Sequence, residues 1–132
     1  MLRSERLALL KDQVTKRVLV LDGAMGTMIQ NRNLSAEDFG GSDYEGCNEF
    51  LVFTRPDIIL DIHQKYLEAG ADIIESNTFG GTPLVLQEFS LGARAAELNR
   101  LAAQLARQAA DGFSDRPRFV AGSMGPTTKA LS

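Results

Sequence analysis

The chain has 132 residues, of which 44% are hydrophobic, 7% aromatic and 23% charged, and this ordinary globular composition provides enough apolar residues for one core. The net charge of -3 at pH 7, with no cluster of lysine and arginine, argues against a nucleic-acid partner. Charged residues interrupt residues 1–17, which excludes a signal peptide or membrane span there, so we predict a cytoplasmic protein without membrane contact. The single cysteine, Cys47, fits a reducing compartment.

The N-terminal part of the chain predicts a helix followed by a strand. Apolar residues at helical spacing indicate a leading helix over about 4–16 that covers part of a core. Residues 18–21 are all apolar, and they predict a short buried strand over about 18–22. The polar stretch 31–54 contains a possible capping box, Ser35-x-x-Asp38, and we interpret it as an ordered excursion with one short helix.

Two further pairs of helix and strand follow. Pro56 suits a first helical turn and Gly70 suits a helix end, so a helix is predicted over 56–69. A strand over about 71–75, a helix over about 93–111 and a third strand over about 118–121 come next. Near-continuous apolar runs are typical of parallel strands that crossover helices cover on both faces. The chain is therefore predicted to have an α/β fold.

Polar residues follow each predicted strand at its carboxyl end. Asp22 ends the first strand, residues 75–78 end the second, and residues 123–127 follow the third. Because parallel strands joined by helices place their carboxyl ends on one side, these three groups are expected to share a rim. In α/β barrels and open sheets this rim carries the chemistry.

The segment DGAMGT, residues 22–27, combines a carboxylate with a glycine turn. A carboxylate at the end of a buried strand is costly to desolvate unless a cation or hydrogen-bond donors compensate it. A ligand ammonium would compensate Asp22, and free backbone N–H groups suit a carboxylate, so the segment fits an amino acid. A phosphate cradle is an alternative, although the third glycine and the lysine of the nucleotide motifs are missing. A tight turn hydrogen-bonded to Asp22 would explain the glycines without a ligand.

The segment ESNTFGGT, residues 75–82, has a similar character. Ser76, Asn77 and Thr78 offer hydroxyl and amide donors, and the two glycines that follow allow a ligand to approach the backbone closely. A polar turn without a ligand is the alternative. The rim that this segment is predicted to share with Asp22 favours a binding role.

His63 and Cys47 are not predicted to take part in chemistry. The helix that carries His63 belongs to the outer layer of the fold, which favours a structural or surface role over that of a ligand or base. Zinc sites need three or four ligands, and the sequence contains no C-x-x-C or H-x-x-x-H pattern. A single histidine also leaves no visible Ser/His/acid set.

Three segments resemble the start of the homocysteine-binding module of the cobalamin-dependent methionine synthases, within the homocysteine S-methyltransferase family: VLVLDGAMGTMIQ, GCNEFLVFTRPDIILDIHQKYLEAGADIIESNTFGGT and RFVAGSMGPTTKALS. The resemblance implies a (β/α)8 TIM barrel in which zinc, held by three cysteine thiolates, binds the homocysteine sulfur. It further implies that the thiolate attacks the methyl group of methylcobalamin to give methionine, and that other modules remethylate cobalamin from methyltetrahydrofolate. An enzyme that uses betaine or S-methylmethionine as methyl donor is the alternative within the family.

The resemblance also implies which residues bind substrate. Asp22 matches the acid near the substrate ammonium, and the backbone of Gly23 and Ala24 matches the turn near its carboxylate. Ser76 and Thr78 match the polar residues that line the same pocket. No residue of the chain matches the zinc cysteines. These cysteines are expected beyond Ser132, so we predict no catalytic residue and no metal ligand within the chain.

A complete barrel needs about 250 residues, so we interpret residues 1–132 as the N-terminal part of the homocysteine-binding barrel domain, with the first three βα units of eight. We expect this part to be inactive alone, to bind neither zinc nor cobalamin, and to need the rest of the barrel and the folate and cobalamin modules. Its unpaired strand edge predicts oligomers, aggregation or marginal folding. The alternatives are a non-enzymatic half-barrel that binds an amino acid or assembles with another chain, and an unrelated barrel enzyme acting on a phosphorylated substrate.

Overall fold

A computed structural model describes residues 1–130, which alternate between helices and parallel extended segments. This part of the chain contains six α-helices and two strands: α1 (Arg3–Lys16), α2 (Met25–Gln30), α3 (Leu51–Thr54), α4 (Pro56–Glu68), β1 (Ile73–Glu75), α5 (Pro83–Leu86), α6 (Ala95–Asp111) and β2 (Phe119–Ala121). Short 3-10 turns lie at Ala36–Phe39, Ser42–Tyr44, Asn48–Phe50, Gln87–Phe89 and Gly92–Arg94. Among these helices we find none with the length and apolar character needed to cross a membrane.

Helices α4 and α6 form the main helical layer and pack against each other. Pro56 occupies the first turn of α4, and Gly70, with φ +112°, ends the helical path in a conformation that glycine adopts readily. The inner face of each helix is apolar and fully or almost fully buried: Ile59, Ile62 and Leu67 on α4, and Leu98, Ala102 and Ala106 on α6. The predicted helices over 56–69 and 93–111 are therefore confirmed, the second with a 3-10 turn as its first residues.

Strands β1 and β2 pair in parallel, with Ile73 opposite Phe119 and Glu75 opposite Ala121. The predicted strand over 18–22 is an extended segment that forms one isolated parallel bridge, between Leu21 and Ile73. The Ile73 N–H donates to the Val20 carbonyl at 3.1 Å, and the Asp22 N–H donates to the Ile73 carbonyl at 2.9 Å. Within residues 1–130 the structure thus contains two strands and one bridged segment, which does not confirm the count of three βα units.

The expected burial of the segment over 18–22 is wrong for this chain. Val18 is 85% exposed and Val20 is 54% exposed, and no residue of α1 is buried within the described part of the chain. The physical reason is that the segment pairs with β1 along one edge, whereas a buried parallel strand needs a neighbour on each edge and cover on both faces. An apolar run in the sequence indicates what a strand is suited to contact, and it does not show that the contact is made.

The amino ends of these segments are joined by a buried ionic cluster around Asp72, which is 1% exposed. Its carboxylate accepts hydrogen bonds from Arg17 Nη2 at 2.6 Å, Arg116 Nε at 2.8 Å and the Val20 N–H at 2.9 Å. Burial alone would raise the pKa of Asp72, but the hydrogen bonds from the two arginines hold this pKa far below its usual range. Asp72 therefore fixes the extended segment against β1 at its amino end.

The stretch over 31–54 folds as three 3-10 turns and the short helix α3, which is more structure than the single helix predicted. The Ser35 N–H and hydroxyl both donate to the Asp38 carboxylate, at 2.9 and 3.1 Å, so the predicted capping contact is present. Phe50, Leu51 and Val52 are buried in the same core as α4 and α6. This packing holds the residues just before α3 at the carboxyl ends of the strands.

Candidate functional site

A cleft of about 420 Å3 opens at the carboxyl ends of the extended segment and the two strands. It brings together residues from all three polar groups that the sequence predicted on one rim, together with residues of the stretch before α3. The lining consists of Asp22, Gly23, Ala24, Met25, Gly26, Asn48, Glu49, Glu75, Ser76, Asn77, Thr78, Phe79 and Ser123. All five predicted substrate-binding residues thus lie in one cleft.

Asp22 has two carboxylate oxygens in different situations. Oδ2 accepts a hydrogen bond from the Glu75 N–H at 3.0 Å, whereas Oδ1 is buried and has no hydrogen-bond partner within residues 1–130. Burial raises the pKa of Asp22 to about 6, the Glu75 N–H opposes this rise, and the nearby Glu75 charge adds to it. A buried, unpartnered oxygen of this kind is costly, and a bound cation or donor would remove that cost.

The turn after Asp22 presents unused backbone donors. Among the described residues, the N–H groups of Gly23 and Ala24 donate no hydrogen bond. The Ala24 carbonyl accepts a hydrogen bond from the Tyr66 hydroxyl of α4 at 3.0 Å. The turn therefore offers two N–H groups beside a carboxylate, and an outer helix holds it in place.

Ser76 and Thr78 line the cleft, but their hydroxyl protons are already used. The Thr78 hydroxyl donates to the Ser123 carbonyl at 2.8 Å, and the two hydroxyl oxygens lie 2.7 Å apart. Because each hydroxyl has one proton, Ser76 must donate to Thr78, and it also accepts from the Ser123 N–H at 3.3 Å. The predicted hydroxyl donors are thus acceptors toward the cleft, and they tie the ends of β1 and β2 together.

Two lining residues, Asn48 and Glu49, lie outside every segment that the sequence predicted at this rim. Asn48 and Glu49 reach the cleft from the 31–54 stretch, where the Asn48 carbonyl accepts from Asn77 Nδ2 at 2.9 Å and Glu49 Oε1 accepts from the Gly80 N–H at 2.9 Å. A side chain on Gly80 would place its Cβ 2.6 Å from Glu49 Oε1, so it would displace the Glu49 carboxylate from this hydrogen bond. No local pattern in the sequence places these two residues beside Asp22.

Zinc does not fit the described residues. Residues 1–130 contain no group of three His, Cys, Asp or Glu side chains placed to hold a metal ion. Burial raises the pKa of the Cys47 thiol to about 11, which disfavours the thiolate that zinc binds. His63 is fully buried in the helix layer, and burial lowers its pKa to about 4. It is a core residue, which rules out the surface position that was one of the two expected.

The position expected for the zinc cysteines is not tested by the structure. They are predicted beyond Ser132, and Ser132 itself lies outside the described residues, which end at residue 130. The expectation that the zinc ligands follow this residue in a longer barrel therefore stays a prediction.

A parallel α/β arrangement with a cleft at the carboxyl ends of its strands fits a TIM-barrel fragment, and open α/β sheets share this arrangement. The family model of homocysteine S-methyltransferase matches residues 19–132. The chain therefore belongs to the homocysteine S-methyltransferase family.

Comparisons with individual proteins agree with this assignment. The chain is 48% identical over 122 residues to methionine synthase from Mycobacterium tuberculosis, a match that covers 91% of this chain and 10% of the relative. The crystal structure of the homocysteine methyltransferase MmuM from Escherichia coli in its metallated form is 26% identical, with a TM-score of 0.73. This match covers 89% of this chain and 41% of the MmuM chain. The oxidized form is 27% identical with a TM-score of 0.71, and this match covers 86% of this chain and 39% of the MmuM chain. The chain thus spans about a tenth of the curated relative and about two fifths of the solved structures.

Proposed function

We propose that the cleft binds the amino-acid end of homocysteine, as part of a methyltransferase that forms methionine. The observation that carries the proposal is the buried Oδ1 atom of Asp22, which has no partner within residues 1–130 and lies in a cleft lined by three carboxylates. None of the residues lining this cleft is lysine, arginine or histidine. A cleft of this charge favours a cationic group such as a substrate ammonium.

In this proposal the two ends of an amino acid occupy two neighbouring parts of the cleft. The ammonium group would donate to Asp22 Oδ1, which forms a charge-assisted hydrogen bond and compensates the buried charge. The remaining lone pairs of the Ser76 and Thr78 hydroxyls are acceptors for the same group. The substrate carboxylate would accept from the unused N–H groups of Gly23 and Ala24, as backbone turns bind anions elsewhere.

The wider reaction is proposed from the family and the relatives. In the methionine synthase branch the methyl donor would be methylcobalamin, remethylated from methyltetrahydrofolate, and zinc would bind the homocysteine sulfur as a thiolate. The partners would be the rest of the barrel and the folate and cobalamin modules, in the cytoplasm. The described residues hold no zinc site, so the proposal for this chain ends at binding of the amino-acid end.

Calorimetric titration of L-homocysteine into the chain tests the proposal. We expect binding that weakens at least about tenfold in Asp22→Asn, because a charge-assisted hydrogen bond to the ammonium is lost. Asp12→Asn, on the exposed face of α1, is the matched control and should bind like the wild type. A second titration with 4-mercaptobutyrate, which lacks the amino group, should give no binding. Equal binding by Asp22→Asn, or by the ligand without its amino group, would contradict the proposal.

A further inference from the structure

We propose that Tyr66 is a positioning residue that holds the turn at Gly23 and Ala24 in its binding geometry, an inference that rests on the function proposed above. Tyr66 is carried by α4 and is not among the residues that line the cleft. Its role would be to fix the groups that meet the ligand without touching the ligand itself.

Tyr66 contacts two consecutive residues of the turn. Its hydroxyl donates to the Ala24 carbonyl at 3.0 Å. A Cβ atom built on Gly23 would lie 3.1 Å from Tyr66 Oη and 3.4 Å from Cε1, so the ring edge lies directly against this glycine. One hydrogen bond and one close contact therefore define where the turn lies relative to α4.

The turn needs such a support because its own donors are free. Upstream, the Asp22 N–H is bound to the Ile73 carbonyl. Beyond that point, the N–H groups of Gly23 and Ala24 donate no hydrogen bond within the described chain. Donors that remain free for a ligand cannot also fix the backbone that carries them. A ligand binds such donors more tightly when another group has already ordered them, because less entropy is lost on binding.

Helix α4 is a rigid base for this support. Ile62 and Leu67, which flank Tyr66 along the helix, are both fully buried. Burial, together with the nearby Asp22 charge, raises the pKa of the Tyr66 hydroxyl, so it stays protonated and remains a donor at neutral pH. The hydrogen bond from Tyr66 thus fixes the turn beside Asp22 relative to the buried core.

The second tyrosine of the chain provides a matched control. Tyr44 stacks on Phe50, with ring centroids 4.7 Å apart, and its hydroxyl forms no hydrogen bond to any described residue. Tyr44→Phe therefore removes the same atom as Tyr66→Phe, at a site that forms no hydrogen bond to the turn.

The experiment compares the two variants in the 132-residue chain. We expect Tyr66→Phe to lower the 15N order parameters of the Gly23 and Ala24 amides from about 0.85 toward about 0.6, the range of flexible backbone. L-homocysteine should bind about five- to tenfold more weakly, because binding must then order the turn that this one hydrogen bond had fixed. Tyr44→Phe should change neither quantity. A purely structural role for Tyr66 would lower stability and leave both quantities unchanged.

A double mutant tests the contact with Gly23. Gly23→Ala alone should weaken binding, because its methyl group meets Tyr66 Oη at 3.1 Å. Adding Tyr66→Phe removes that oxygen, so the double mutant should bind better than the sum of the two single effects predicts. Unchanged order parameters in Tyr66→Phe, or a loss of order without any change in affinity, would overturn the inference. Loss of order in a chain that never binds homocysteine would support the positioning of the turn and contradict the proposed function.

Discussion

Two aspartates at opposite ends of the same pair of chain segments have opposite environments. Asp72, at the amino end of β1, is buried and accepts hydrogen bonds from two arginines and a backbone N–H. Asp22, at the carboxyl end of the neighbouring segment, accepts one backbone hydrogen bond and has one oxygen with no partner within residues 1–130. The pKa of Asp72 is accordingly held far below its usual range, and that of Asp22 is raised to about 6. One end of the fold compensates its buried carboxylate with two arginines, whereas the carboxylate at the other end has no cationic partner within residues 1–130.

The largest effect is expected at Asp72. Asp72→Asn removes the anionic acceptor of two charge-assisted hydrogen bonds, from Arg17 and Arg116, which should lower the free energy of unfolding by about 3–4 kcal/mol. Urea unfolding followed by circular dichroism measures this difference. Asp12→Asn breaks an exposed pair with Lys16 and should cost less than about 0.5 kcal/mol. If Asp72→Asn lowered stability no more than Asp12→Asn, the hydrogen bonds to Asp72 would not stabilise the fold as described.

As the pH falls below neutral, we expect stability to be lost first through His63 and not through either aspartate. His63 is buried, and neither of its ring nitrogens has a hydrogen-bond partner among the described residues. Its folded pKa of about 4 lies below the ordinary value of 6.5, so the unfolded chain binds the proton first as the pH falls. The stability contributed by neutral His63 is thus present above pH 6.5 and lost progressively toward pH 4, by about 3 kcal/mol. Unfolding free energies measured across this range should fall in the wild type and stay flatter in His63→Leu.

The smallest effect is expected at Asp22, and it has the opposite sign. Because its folded pKa is raised above the ordinary 3.8, the charged carboxylate destabilises the fold above about pH 6, and the penalty disappears as the pH falls toward 3.8. Asp22→Asn should therefore raise stability at pH 7.5 by about 1 kcal/mol, a value reduced for partial exposure, and make little difference near pH 4. Thermal unfolding at the two pH values measures this. An Asp22→Asn protein less stable than the wild type at pH 7.5 would show that the carboxylate is structural.

Local sequence patterns predicted the helices well. Helix α4 has proline in its first turn, regularly spaced apolar residues and a glycine after its end, and each of these signals acts within one or two helical turns. The segment over 18–22 shows the limit of such patterns, since an apolar run does not state how many neighbours the strand has. Its burial depends on contacts that lie outside the segment.

The candidate site was predicted in part for a similar reason. Asp22, Ser76 and Thr78 follow predicted strands, so strand direction alone places them on one rim. Glu49 and Tyr66 reach the same region from the 31–54 stretch and from α4, and no local pattern connects either residue to Asp22. Asp72 was missed because its partners, Arg17 and Arg116, lie 55 and 44 residues away in the sequence.

The burial of Cys47 allows its alkylation rate to be used as a measure of local opening. The side chain is 2% exposed, and its thiol, with a pKa of about 11, is almost entirely protonated at neutral pH. An alkylating reagent therefore reacts slowly with the closed protein and much faster once the surrounding backbone opens. Asn48 and Glu49, which line the cleft, follow Cys47 immediately in the chain. The labelling rate of this one thiol should therefore measure how often this part of the cleft opens locally.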